Sequence, residues 1–177
     1  IDMAQVFKEY KKFEDLRESL KTEISASEET IKADVTALKS LSDKLKMMTE
    51  SSPGYAKTES ELASKAAEID ARRKVMQRDF LRKESQIYKE VYMEVQTAVK
   101  MYAEYYKYTL VLRFNRKALS TEDDARGVIN GMNRQVVYHN PSNDITEAVL
   151  EYLNKKYRKV VDNPGGGTST NWLKITL

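Results

Sequence analysis

Apolar residues in the first part of the chain recur at alternating steps of three and four, the spacing of one helix face. Val6, Tyr10, Phe13, Leu20, Ile24, Ile31, Leu38, Leu41, Leu45 and Met48 hold one seam, once Arg17, Ser27 and Asp34 are counted as its polar members. Leu16 and Val35 keep the stripe alive beside those interruptions. The other positions are mostly Lys, Glu, Ser and Thr, so the spacing predicts a long helix over residues 4–48 that buries one narrow heptad seam. After the interruption "KMMTESSPGYAKTE", a second seam runs over residues 56–106 through Leu62, Ala66, Ile69, Met76, Phe80 and Ile87, with Arg73 and Lys83 as polar members. Val91 and Val95 follow at steps of four before Ala98, Tyr102 and Tyr105 resume the alternation, a stutter that locally unwinds a supercoil. Two seams of matched length joined by Ser51, Ser52, Pro53 and Gly54 predict an antiparallel hairpin with its tip near residues 51–54. Pro53 stops the first helix and Gly54 supplies turn freedom.

Beyond residue 107 the pattern changes. "YTLVLRF" (residues 108–114) carries consecutive apolar and β-branched residues, as expected of a strand covered on both faces, and "RQVVYHN" (residues 134–140) is a second strand candidate. Between them, residues 122–130 read as a short helix closed by Gly131. Asp144 stands three residues before Glu147 at capping-box spacing, ahead of a helix whose apolar face is Ile145, Val149, Tyr152 and Leu153. The predicted fold is therefore mainly α with a small β body (α+β). Residues 1–3 and 107–160 form the body, residues 4–106 form a long coiled-coil hairpin arm, and residues 161–177 form a flexible Gly/Thr/Ser tail with Trp172, Leu173 and Ile175 as a docking end. A body this thin cannot bury itself alone, and association is the natural remedy.

Composition sharpens this picture. A charged fraction of 32% and a mean hydropathy of -0.64 over 177 residues leave little apolar material for a globule, so an elongated molecule is expected. The net charge of +3 is uneven, slightly acidic over residues 1–50 and basic after them. That bias suits an acidic surface or lipid headgroups and is too weak to argue for nucleic acid. There is no cysteine, so disulfides, thiolate metal sites and a cysteine nucleophile are excluded. His139 is the only histidine and stands at the end of a strand candidate. "GGGTST" lacks the Lys-Ser/Thr ending of a phosphate loop, and "TEDD" has too few spaced carboxylates for a calcium loop. No catalytic group, metal site or cofactor is expected, and no run is long and apolar enough to span a bilayer.

"EVQTAVKMYAEYYKYTLVL" followed by "VVYHNPSNDITEAVLEYL" resembles the closing half of the Skp/OmpH family of periplasmic chaperones. Gln96, Thr97, Ala98, Val99 and Lys100 match the end of that family's arm helix, and Asp144, Ile145, Thr146, Val149 and Leu150 match its capped final helix. The opening "IDMAQVFKEY" resembles the family's entry from first strand into arm. The resemblance covers residues 1–157, with residues 117–134 as an insertion and a first strand clipped at Ile1; a targeting signal is expected to have been removed or omitted. It implies a homotrimer with a β-barrel-like body shared by three chains and arms around a cavity. Its members are ATP-independent holdases that keep unfolded outer-membrane β-barrel proteins from aggregating in the periplasm.

On that reading Met47, Met48 and Tyr55 at the arm tip are the client-touching candidates, since methionine adapts its shape and tyrosine offers an apolar body with a polar tip. The basic run Arg72, Arg73, Lys74, Arg78, Arg82 and Lys83 is a second candidate, for acidic clients or an anionic lipid surface. Leu110, Val111, Leu112, Val136, Val137, Ile145 and Val149 are the candidate trimer-body residues. Each has a plainer alternative: seam methionines pack, and charge runs on helices are commonly solvated faces. Tyr102, Tyr105, Tyr106 and Tyr108 are expected to pack the junction of arm and body. The rival function is a coiled-coil spacer or adaptor that binds a folded envelope partner, and a helical nucleic-acid binder ranks third.

Overall fold

The computed structural model describes residues 1–116, 128, 129, 131 and 133–162. In chain order these form α1 (Met3–Glu9), α2 (Lys11–Lys46), α3 (Tyr55–Tyr106), a 3-10 turn (Pro141–Asn143) and α4 (Thr146–Asp162). They divide into two compact units, Ile1–Glu14 with Val91–Leu177, and Asp15–Glu90.

The first unit contains the best-packed core. Val6, Val91, Val95, Val149 and Leu153 are essentially sealed from solvent, with Ile1, Tyr10, Phe13, Ala98, Ile145 and Leu150 around them. In α4 the buried positions Thr146, Val149, Leu150 and Leu153 fall on one helical stripe that packs on α1. The predicted single helix over residues 4–48 is broken at Tyr10, whose backbone is extended. Neither proline nor glycine causes the break. The Asn154 side chain accepts from the Lys11 amide at 2.9 Å and donates to the Glu9 carbonyl at 3.2 Å, serving both backbone groups stranded where α1 stops and α2 starts. Buried Tyr10 donates its hydroxyl to Glu94, which also holds Lys12.

α3 ends in a Schellman motif: the Tyr108 amide reaches back to the Ala103 carbonyl at 2.9 Å, and Lys107 takes a left-handed φ of 61°. The apolar clasp that accompanies such ends is here a set of tyrosine rings, Tyr102 with Tyr106 at 4.5 Å and Tyr102 stacked on Tyr108 at 6.4 Å. Tyr105 meets Tyr106 edge-on but stays exposed, so it is not a member of the buried seam.

Past this corner, residues 108–114 depart from expectation. They form no strand, and none occurs among the described residues; there is one isolated parallel bridge, Asp2 to Phe114. The Ile1 amino group donates to the Leu112 carbonyl at 2.9 Å and the Phe114 amide to the Ile1 carbonyl at 3.0 Å. A ladder needs neighbours, and among the described residues this run pairs its backbone only with residues 1 and 2 outside its own corner. The run is not covered on both faces either, for Leu110 is 71% exposed and Leu112 is exposed too. Residues 134–140 are likewise without strand pairing, and Val137 is 95% exposed. His139 packs its ring against Phe114 at 4.2 Å. Of the helix expected at residues 122–130, Val128 and Ile129 are described and helical; Gly131 is helical as well, so it does not close that helix. The tail residues Trp172, Leu173 and Ile175 lie outside the described residues.

Asp2, Arg116, Asp144, Thr146 and Glu147 tie the ends of this unit together. Asp2 caps α1 through the Ala4 and Gln5 amides and accepts from the Arg116 amide, while its own amide donates to the Thr146 hydroxyl. Arg116 forks onto Asp144 and Glu147. Asp144 accepts from the Thr146 amide as a cap should, but Glu147 turns to Arg116 and Gln5, so the expected reciprocal capping box does not form. Burial pushes the Asp144 carboxyl up. The hydrogen bonds from Thr146 and Arg116 outweigh it and hold the group below the usual carboxylate range.

In the second unit, α2 and α3 run antiparallel: as α2 advances from Glu23 to Asp34, their partners on α3 retreat from Lys83 to Arg72. Its seam is thinner. Ile31 and Ile69 are buried, whereas Leu20, Ile24, Leu38, Leu41, Leu45, Leu62, Met76, Phe80 and Ile87 are only half-covered. Ser27 and Asp34 occupy seam positions as expected, but Arg17 is exposed and Leu16 takes its place. At the turn, the Thr58 amide and hydroxyl both return to the Gly54 carbonyl. Gly54 has no positive φ; a Cβ there would meet the Met48 methyl at 3.2 Å. Its contribution is close approach, not left-handed freedom.

Candidate functional site

The feature of the second unit that fits a ligand is an open groove of about 760 Å³ along α2 and α3. Leu20, Ile24, Ile31, Met76 and Phe80 line it as buried or half-covered apolar side chains, and Val35 and Leu81 as exposed ones. The sequence explains why the groove exists. Arg73 stands on the α3 seam, where a large apolar side chain would fill the space between helices, so the packing there stays shallow. Leu81 is 60% exposed and Val35 is exposed as well, although neighbouring seam positions are half-covered. Glu28, Lys32, Arg73, Gln77, Thr36 and Glu84 complete the lining.

The basic run is divided by the structure. Arg72 holds Asp34 at 2.6 Å and Glu68 at 2.8 Å, and Lys83 holds Glu23, so these two cross-link or brace the hairpin. Arg78 has a loose contact of 3.7 Å with Asp79 on the exposed surface. Arg73 lines the groove, and Lys74 and Arg82 are exposed with no ion pair among the described residues. The tip residues separate too: Met47 is 88% exposed, while Met48 folds over Gly54 and Tyr55 is half-buried. Among the body candidates Ile145 and Val149 are core, Val111 and Val136 half-buried, and Leu110, Leu112 and Val137 exposed. Sequence reasoning missed the groove as a unit. The signal was present in the polar seam position Arg73, noted on its own helix alone.

A family model described as outer membrane protein (OmpH-like) matches residues 1–153. The chain belongs to the OmpH-like family. No curated protein matches the chain closely enough to serve as a relative. Membership supports a chaperone-like role in the periplasm in general terms, and members of the family are chaperones rather than enzymes. The long helices of this OmpH-like chain agree with the coiled-coil arm expected of it. No described helix is long and apolar enough to cross a membrane.

Proposed function

We propose that this OmpH-like chain is an ATP-independent periplasmic holdase that keeps unfolded outer-membrane β-barrel proteins from aggregating. The observation that carries the reading is the open apolar groove of residues 15–90, a surface whose exposure the helices tolerate at a cost in packing. Unfolded barrels present alternating apolar segments with unpaired backbone edges, and a holder for them needs shallow, repeated, reversible contacts. Met47 at the tip adds a flexible apolar contact, with Met48 and Tyr55 behind it.

The working form is a homotrimer with a shared β body over residues 1–3 and 107–160, arms over residues 4–106 enclosing the client, and a tail from residue 161. Leu110, Leu112, Val137 and Tyr138 support that reading, because exposed apolar residues outside any described strand gain most from strands of a second and third copy. The basic residues of α3 serve acidic clients or an anionic lipid surface.

Dilution of a urea-unfolded outer-membrane barrel with and without the protein, followed by light scattering, tests the proposal. Suppression is expected at one trimer per client. Unabated scattering would overturn it and favour a spacer or adaptor. Replacing Met47, Met48 and Tyr55 together by Ser is expected to shorten client retention while sedimentation still reports a trimer; unchanged retention removes the tip from the client surface.

A further inference from the structure

The tip of the hairpin places two adjacent methionines in opposite situations. Just past α2 the backbone tightens, with the Met47 amide on the Lys44 carbonyl at 3.1 Å and the Met48 amide on the Leu45 carbonyl at 3.0 Å. Met48 continues the seam of Leu41 and Leu45, is half-covered, and lays its methyl over the Gly54 backbone. One position earlier, Met47 falls off that seam and is 88% exposed. A side chain so exposed adds little to packing. The chain holds seven methionines and no cysteine, so thioethers are its only sulfur.

A thioether is oxidised by hydroperoxides at a rate that follows access to its sulfur, and the product is a polar sulfoxide. The sulfur lone pair attacks one oxygen of hydrogen peroxide, so that the S–O bond forms and the O–O bond breaks. The departing hydroxide takes the proton of the new sulfur-bound hydroxyl and leaves as water. Sulfur gives up two electrons and the peroxide accepts them, and no further reactant is needed. At Met47 the new oxygen stands in water. At Met48 the sulfur is one bond from the methyl that covers Gly54, so a sulfoxide there either presses oxygen into an apolar contact or swings out and uncovers the turn. That turn is held by few bonds: the Ser52 amide on the Thr49 carbonyl at 2.9 Å, the Tyr55 amide on the Ser52 carbonyl at 3.1 Å, and the Thr58 amide on the Gly54 carbonyl at 3.0 Å. The Ser52 hydroxyl is buried with no hydrogen-bond partner among the described residues, so the turn has little stability to lose.

We infer that the arm tip is a methionine oxidation site with two rungs. Hydroperoxide converts Met47 to the sulfoxide first, without disturbing the hairpin, and Met48 later, with loosening of the turn over residues 49–58. The effect on client rests on the holdase reading: where Met47 touches client, the first rung replaces an apolar contact with a polar one and shortens retention. A methionine sulfoxide reductase supplied with a thiol reductant reverses it.

The test treats the full chain with dilute hydrogen peroxide, follows each methionine by peptide mass mapping, and follows the tip amides by hydrogen exchange. Met47 is expected to oxidise about tenfold faster than Met48. The Tyr55 and Thr58 amides are expected to hold their exchange rates through the first phase and to quicken about fivefold in the second. Met48→Leu is expected to keep the first phase and abolish the quickening, and Met47→Leu to do the reverse. Met93, 56% exposed on α3, is the control: Met93→Leu is expected to leave both phases as they are. Equal rates at Met47 and Met48 overturn the inference, and so does quickening that persists in Met48→Leu. Retention of an unfolded outer-membrane barrel, scored after the first phase and again after reductase treatment, separates the two levels. Ordered oxidation with unchanged retention removes Met47 from the client surface and leaves the oxidation site standing. Equal oxidation rates with suppressed scattering sink the oxidation site and leave the holdase reading standing.

Discussion

The two compact units solve the problem of a charge-rich chain in different ways. Residues 1–14 with 91–162 concentrate apolar burial in a few sealed side chains, Val6, Val91, Val95, Val149 and Leu153, and link their backbone ends through Asp2, Arg116 and Asp144. Residues 15–90 spread partial burial along two helices and add exposed cross-pairs such as Asp34 with Arg72. The first arrangement gives local stability; the second leaves apolar surface available. A site built from weak contacts belongs on the second, where uncovering Leu81 and Val35 costs little that is not already spent.

Truncation of one buried residue in each unit gives the sharpest contrast. Leu153→Ala is expected to cost about 2–5 kcal/mol, since a sealed site cannot relax around the cavity. Ile69→Ala is expected to cost only about 1–2 kcal/mol, because water and half-covered neighbours take up the space. Denaturant melts with amide exchange read by unit measure both, and equal losses would erase the distinction.

Acid is expected to act on the first unit through Asp144. The folded Asp144 carboxyl lies below its unfolded value of about 3.9. Its contribution is therefore complete above that value and is lost as pH falls through the depressed folded value. Asp144→Asn should lower stability at neutral pH by about 1–3 kcal/mol and flatten the acid limb. An unchanged limb would remove Asp144 from the cause.

Two smaller effects follow. Asn154→Ala strands the Glu9 carbonyl and Lys11 amide, which water reaches, so a loss of about 0.5–1.5 kcal/mol is expected, with faster exchange at Lys11. Glu23→Gln combined with Asp34→Asn removes two exposed cross-pairs and should cost less than about 1 kcal/mol, vanishing at high salt.

What the sequence made legible tracks how local the cause is. The seams and the tip were readable because heptad spacing and Pro53 act within a few residues, and Leu16 displaced Arg17 because an apolar neighbour one position away buries better than a base. The break at Tyr10 was invisible: its stabilising group, Asn154, lies far along the chain and no proline or glycine announces it. The strand candidates were read from composition, yet pairing is non-local, and among the described residues the one bridge of residues 108–114 is to Asp2. The capping box failed for the same reason, since Arg116 outbid the local amide for Glu147. The groove required setting residues 20–36 of α2 against residues 73–84 of α3 across a hairpin, information that neither helix contains alone.

Lys107 carries a last consequence. A residue with a β-carbon in the left-handed region stores about 1 kcal/mol of torsional cost that glycine would not. Lys107→Gly would release that cost, but it would also turn a fixed elbow into a swivel, free to send the following backbone along many headings. Keeping lysine there aims the Leu112 carbonyl at the Ile1 nitrogen, so the corner trades a little comfort for a steady line of departure.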